Sequence, residues 1–295
     1  MKTSKELYSQ AFSEYHLDDE MIKKLQEELL SIFLDIKSVC DKYQISYMMA
    51  GGSLLGTIRH QGFIPWDDDM DLMMFREDYE RFREHFSQKF SDKYLLAEPL
   101  FHEKYFYKMP KVYKKGTTYI EIANAGLKAF DMIFIDIFII EDLPESRLIR
   151  KLKGSLYNLA YKLSSVCIDY LYPSPVIEKV GGQNEGVMKY YQFRKRLGWL
   201  ASHLGGIHFY LELCDRLARQ KKSSSVVGLP SGISFEREVF PRDILTRTTT
   251  GSFCGYDVHI PLQYDIYLSN LYGENYMMLP PEEKREFHVA YKVEC

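Results

Sequence analysis

Between positions 20 and 42, Met21, Ile22, Leu25, Leu29, Ile32, Phe33, Ile36 and Val39 recur at helical spacing in a stretch otherwise rich in Lys, Glu and Asp. That periodicity predicts an amphipathic helix. The pattern then shortens. ISYMMA (45–50) reads as a short buried strand ended by Gly51-Gly52-Ser53, and Leu54 to Arg59 begins a helix with Ser53 near its N-cap. Gly62 and Pro65 break it, and residues 66–74 resume as a strand in which Met70 and Leu72 face the core. Residues 78–90 are predicted helical, 105–121 a hairpin turning at Lys115-Gly116, and Met132 to Ile140 a further strand closed by Asp142 and Pro144.

A different texture follows. Leu148, Leu152, Leu156, Leu159, Leu163, Cys167 and Tyr170 fall on one helical face. Leu197, Leu200, Leu204, Ile207, Leu211, Cys214 and Ala218 fall on another, weakened by Gly198, Gly205 and Gly206. From Arg147 to Lys222 there are 14 Lys/Arg against 5 Asp/Glu, a surplus of +9, which leaves −12 on the remainder of a chain whose net charge is −3. The expected fold is α/β (α+β), a small mixed sheet flanked by helices. A core at 1–145 precedes a basic helical insertion at 146–225, and a C-terminal segment at 226–295 packs back on the core. The insertion reads either as an acceptor-binding or membrane-surface element, or as a subdomain packed on the core with a solvated basic rim.

Composition narrows the classes. With 295 residues, 46% hydrophobic and 27% charged, the chain can bury a core, and its net charge of −3 argues against a general nucleic-acid binder. The five cysteines are scattered, with no CxxC pair, which argues for reduced thiols and against a structural zinc. No stretch approaches the ~20 apolar residues of a membrane span. The polar N-terminus lacks a signal-peptide apolar region. The expected location is cytoplasmic, with contact at the inner face of a membrane left open.

Chemistry concentrates in Asp67, Asp68, Asp69 and Asp71. Alternation on a strand turns Asp69 and Asp71, and Asp67 with them, to one side. Two carboxylates ~5 Å apart repel by roughly 3 kcal/mol at an effective dielectric near 20, a cost that a divalent cation offsets. Oxygen ligands without neighbouring His or Cys favour Mg²⁺ or Mn²⁺. A solvated acidic turn is the competing reading. Gly51-Gly52-Ser53, between strand and helix, offers backbone N–H groups to a phosphate, although most such turns are only turns. Asp136 lies within apolar FIDIF (134–138), where a lone charge is costly unless it serves a site or sits on an exposed edge. A phosphate turn, a paired-carboxylate strand and a third carboxylate suit phosphoryl transfer with two ions ~3.5–4 Å apart.

The block GGSLLGTIRHQGFIPWDDDMDLMM (51–74) resembles the signature of the LicD family, phosphocholine-transferase-like proteins related to fukutin. The likeness continues in REDYERF (76–82), KVYKKGTT (111–118), FIDIF (134–138), IPLQYDIYLSNLYGENYM (260–277) and LPPEEKR (279–285), and thins over about 145–230. The resemblance implies a nucleotidyltransferase fold with Asp69 and Asp71 as metal ligands and Asp136 completing the acidic set or acting as base. It implies a CDP-activated alcohol as donor, CDP-choline first, and as acceptor a sugar hydroxyl of a cell-surface glycan such as a teichoic acid or capsule precursor. Transfer of a nucleotide from an NTP and a non-catalytic scaffold are the rivals. Arg59 and His60 are candidates for donor phosphates, Lys111 for charge on the leaving phosphate, and Trp66 for the donor base or a quaternary ammonium. Each has an ordinary alternative as a helix-end cation, a surface lysine or a core tryptophan. Tyr272-Gly273 and Pro280-Pro281 read as structural residues that border the cleft. At Phe253-Cys254-Gly255 the chain departs from the acidic residue many relatives carry in place of the Cys.

Overall fold

In the computed structural model, residues 11–220, 222–281, 285 and 290–295 are described, so Glu282 to Lys284 of the LPPEEKR stretch and His288 lie outside the described residues. The first long helix, α1 (Asp19–Tyr43), begins where Asp18 caps it, its carboxylate accepting from the Met21 N–H at 2.8 Å. Its apolar stripe, from Ile22 to Val39, is buried as the spacing predicts.

That stripe packs on a mixed sheet of β1 (Met48–Met49), β2 (Asp71–Phe75), β3 (Tyr94–Ala97), β4 (Lys111–Lys114) and β6 (Phe134–Asp142), in the order β1-β2-β6-β4-β3. Among the described residues only β2 and β6 run parallel, and their register sets Asp71 opposite Asp136. β7 (Val226–Gly228) pairs with the end of β6, and β8 (Val239–Pro241) with β7. Helix α2 (Gly51–His60) joins β1 to β2, and α3 (Arg76–Phe90) leaves β2. Leu72, Ile135, Ile137 and Val112 fill one side of the sheet and Met73 the other, so continuous apolar runs here mean burial on both faces.

Several boundaries differ from the sequence expectation. The strand expected at 66–74 starts only at Asp71, because Pro65 and Trp66 form a turn, closed by an Asp67 N–H bond to Ile64, and the Gln26 amide takes the carbonyls of Ile64 and Asp67. Ser53 is not the N-cap of α2. The helix already includes Gly51, and Ser53 Oγ accepts from the Asp71 N–H at 2.9 Å, tying helix to strand. The hairpin expected across 105–121 does not form. Both edges of β4 are taken, by β3 and β6, so β5 (Thr118–Glu121) pairs instead with β11 (Ala290–Glu294) near the C-terminus.

Between β6 and β7 lie α4 (Arg147–Leu171), α5 (Pro175–Gly181), α6 (Glu185–Leu204) and α7 (Gly206–Ala218). Here the two apolar stripes are split: Cys167, Ile207, Leu211 and Cys214 are buried, while Leu197, Leu200 and Leu204 are exposed. The face of α4 that packs inward holds Gly154, Tyr157, Ala160, Ser164 and Cys167, while Leu148, Leu152, Leu156 and Leu159 are exposed. Spacing establishes that a helix has an apolar side; it does not say that water lies opposite. The segment after β8 returns to the core through α8 (Arg242–Thr246), the hairpin β9 (Thr248–Phe253) and β10 (Tyr256–Pro261), and α9 (Tyr264–Tyr272). The β9–β10 turn is Cys254-Gly255 with φ of 50° and 84°, and the Cys254 N–H caps the Gln61 carbonyl at 2.8 Å beyond α2. A positive-φ turn favours Asn, Asp or Gly, which explains an acidic residue there without catalysis.

Candidate active site

The DDDMD run alternates as a strand would even before the strand begins. Asp67, Asp69 and Asp71 stay partly open, while Asp68 and Met70 are buried. Asp68 is used differently. It accepts from the Tyr119 hydroxyl at 2.8 Å, fixing β5 to the segment that carries the carboxylates. Asp71 opens β2 directly beside Asp136 of β6, and the Asp136 N–H donates to the Met70 carbonyl at 3.1 Å.

The two glycines at the start of α2 are required by closeness. A Cβ on Gly51 would meet Asp71 Oδ2 at 2.6 Å, and one on Gly52 would meet Asp67 Oδ2 at 2.8 Å. Gly51 also holds φ at +48°. The turn therefore lies against the carboxylates themselves. The Gly51 N–H donates to the Tyr267 hydroxyl at 3.3 Å, and buried Ser53 is bonded to β2, so this turn is bound into the acidic site on three sides.

Tyr267 and Tyr272 of α9 are not named as site residues by the sequence. The Tyr267 phenol is pushed well above its ordinary range by burial and then by Glu238. Tyr272 leaves part of its ring open to solvent, yet its hydroxyl is raised by burial and by the charges of Asp71, Asp67 and Asp69. Both phenols therefore stay protonated donors facing carboxylates. Their only sequence signal is the Tyr-rich LicD-like block at 260–277.

Lys111 is buried, not a surface-strand lysine, and its Nζ lies 2.7 Å from Asp136 Oδ1 and 3.5 Å from the Phe134 ring centroid. The register Lys111↔Asp136 on β4 and β6 makes this pair unavoidable. Arg59 turns to the C-terminal segment, donating to the carbonyls of Tyr276 at 2.9 Å and Met278 at 3.3 Å. Burial lowers its pKa, against the charges of Tyr272 and Asp67. His60 is lowered by burial and by Arg59, whose Nε lies 2.9 Å from its ring nitrogen. Trp66 has the Arg285 guanidinium 4.2 Å from its ring centre, so a cation already occupies one face.

Asp136 and Lys111 open onto a cavity of about 360 Å³. Tyr107, Glu121 and Asn124 line its core side, and Tyr161, Ser165, Asp169 and Arg194 come from α4 and α6. Arg194 bonds Asp169 at 2.5 Å and Ser165 at 2.7 Å. Burial raises the Asp169 pKa, with Arg194 opposing it. The helical region thus forms one wall of the site.

In donor type these residues fit a hard divalent cation: Asp67 and Asp71 are carboxylates lying against the first two residues of α2. Among the described residues, however, no three carboxylate, thiol or imidazole groups converge on one ion position, and Asp136 is turned to Lys111. The fit is that of an open carboxylate face.

Residues 44–152 match the LicD/FKTN/FKRP nucleotidyltransferase domain. The chain is 28% identical over 270 residues to the lipopolysaccharide cholinephosphotransferase LicD of Haemophilus influenzae, covering 90% of this chain and 95% of that protein. Uncharacterised proteins of Rickettsia prowazekii and Rickettsia typhi are 40% identical over 68 residues and 35% over 74. These segments are 21% and 23% of this chain and 26% and 24% of theirs.

Proposed function

We propose, for a chain that carries a LicD-family nucleotidyltransferase domain at residues 44–152, that it is a transferase moving phosphocholine from CDP-choline to a sugar hydroxyl of a cell-surface glycan. The observation that carries this reading is Asp71 beside Asp136 on neighbouring strands, with Asp67 and Asp71 against the glycine start of α2 and Asp136 on the wall of a cavity. The Haemophilus relative supports the choice of choline, and its name supports a glycan of the envelope as acceptor. A teichoic acid or capsule precursor is the acceptor class we would try first.

The acceptor hydroxyl attacks the phosphorus that bears choline. Its O–P bond forms as the bond to the CMP oxygen breaks, CMP departs with that electron pair, and the hydroxyl proton leaves to a carboxylate. Asp136, on the cavity wall, is the group in place to receive it, and Lys111 at 2.7 Å offsets its charge between turnovers. We assign Tyr272 and the first-turn N–H groups of α2 after Gly51, which is bonded to Tyr267, as donors to the diphosphate. Mg²⁺ or Mn²⁺, held by Asp69 and Asp71 with Asp136 beside them, would neutralise phosphate charge as it shifts to the leaving group.

The test is CMP release from CDP-choline, CDP-glycerol and CDP-ribitol, each offered with envelope glycan precursors and Mg²⁺. Release from CDP-choline, with choline recovered on the glycan, supports the reading. Pyrophosphate from an NTP, with no CMP from any CDP-alcohol, would replace it with nucleotidyl transfer.

A further inference from the structure

Two helices of the insertion present their apolar sides to solvent. On α4 the stripe is Leu148, Leu152, Leu156 and Leu159, with Leu148 78% and Leu152 62% exposed. On α6, Tyr190, Phe193, Leu197, Leu200 and Leu204 repeat at spacings of three and four, and Leu204 is 71% exposed. Single exposed leucines need no account, but two successive turns-long stripes on packed helices make a surface that has an occupant.

Where α4 and α6 meet, their inward faces carry small residues, beside buried Tyr157, Cys167 and Tyr191 elsewhere on them. At the α4–α6 crossing a Cβ on Gly198 would lie 2.0 Å from the Val166 carbonyl oxygen, so the backbones touch. Ala160 and Ser164 on α4, with Ala201 on α6, are buried as well, while Gly154 packs on Phe235. Small residues inside and leucines outside is the arrangement of helices whose outer medium is lipid. No described helix is long and apolar enough to cross a membrane, so such helices would lie along its surface.

Charge selects the occupant. Exposed Lys151 and Lys162 flank the stripe of α4, and exposed Lys189 and Arg196 flank that of α6. The region from 147 to 222 carries +9, so a second copy docking on the same face would oppose like charge, whereas an anionic leaflet complements it.

We infer that α4 and α6 dock this protein on an anionic lipid leaflet, their leucine and aromatic stripes entering the headgroup–acyl boundary. Tyr161 and Ser165 line the cavity from the other side of α4. Docking therefore sets that cavity about one helix thickness, ~10–12 Å, from the leaflet, within reach of an acceptor anchored in it. This placement does not depend on which group the site transfers.

The experiment is co-sedimentation of the full chain with vesicles of phosphatidylcholine alone or mixed equally with phosphatidylglycerol. The expected result is binding to the mixed vesicles at least 10-fold above the neutral ones. The pair Leu152→Glu and Leu200→Glu should lower it a further 10-fold or more with an unchanged melting temperature. Lys151→Glu with Arg196→Glu, which leaves the leucines in place, should lower binding to the anionic vesicles only. Equal sedimentation with both vesicle types, or a leucine variant that binds as the parent does, overturns the proposal. So does a dimer that the leucine variant dissociates in the absence of vesicles.

Discussion

The carboxylate face of the sheet and the outer face of α4 and α6 are both places where side chains sit on the side that ordinary burial would not choose. In the sheet, Asp71, Asp136 and Lys111 stand among Leu72, Ile135 and Ile137, held in register by β2, β6 and β4. In the insertion, the leucines of α4 and α6 stand in solvent while Gly198, Ala160, Ser164 and Ala201 share the interior with Tyr157, Val166, Ile207 and Leu211. The first pattern keeps charge where chemistry needs it at the expense of stability; the second leaves apolar area outside because the helices close on one another through backbone contact. The difference teaches that periodicity locates a face, and that the function of a face follows from what the opposite side already provides.

The largest test of that contrast is stability. Leu72→Ala, on the buried side of β2, should cost about 2–5 kcal/mol in denaturant unfolding. Leu200→Ala, on the outer face of α6, should stay within about 0.5 kcal/mol. Equal losses would mean that the outer stripes are core. Next comes Gly51→Ala, which meets Asp71 Oδ2 at 2.6 Å and a φ of +48°. An ångström of displacement at a reacting centre costs about 10²-fold, so turnover should fall by that order. Unchanged turnover would separate the glycine turn from the site. Gly198→Ala is smaller in reach: forcing a methyl to 2.0 Å from the Val166 carbonyl should cost about 1–3 kcal/mol. No cost would mean that α4 and α6 do not close as described.

The smallest effect concerns a lysine that goes inward against the insertion. Lys108, whose Nζ donates to the Gly232 carbonyl at 2.5 Å and lies 4.9 Å from the Tyr161 ring centre, has its pKa pulled down to about 8 by burial, against Glu238. Its folded value lies below its unfolded one, so the unfolded chain binds more protons between them. Lys108 should therefore add about 1 kcal/mol between pH 8 and 9, against Cys40 and Cys214, whose thiols burial holds up in the fold while their unfolded counterparts ionise in the same range. Above about 10 the buried tyrosines, raised in the fold, reverse the slope as their unfolded counterparts ionise. Urea titrations of the parent and of Lys108→Met at pH 7.5, 8.5 and 9.5 check it: the stability of the parent minus that of the variant should increase with pH.

Much of this is legible in the residues. The α1 stripe, the acidic run and Asp136 are readable because each is local: a spacing, an alternation, a charge inside an apolar word. What escapes depends on distant partners. Asp68 belongs to Tyr119, Ser53 to Asp71, and β5 to β11, pairings that no neighbouring residue announces. Lys111 is ambiguous until β4 is seen beside β6, and Tyr267 and Tyr272 reach the carboxylates from nearly 200 residues away in the chain. The outward leucines escape because spacing carries no sign of direction.

The central claim is that the face shared by Asp69, Asp71 and Asp136 is where the group is transferred. The measurement that tests it most directly is CMP release from CDP-choline, titrated with Mg²⁺, for the parent chain, Asp71→Asn, and the pair Leu152→Glu and Leu200→Glu, with a water-soluble glycan acceptor. The account predicts Mg²⁺-dependent release that Asp71→Asn lowers by about 10³-fold or more, the loss expected when charge stabilisation is removed from a transfer site. The leucine pair should release CMP as the parent does. Release by Asp71→Asn within a few-fold of the parent, in a variant that melts as the parent does, would contradict it.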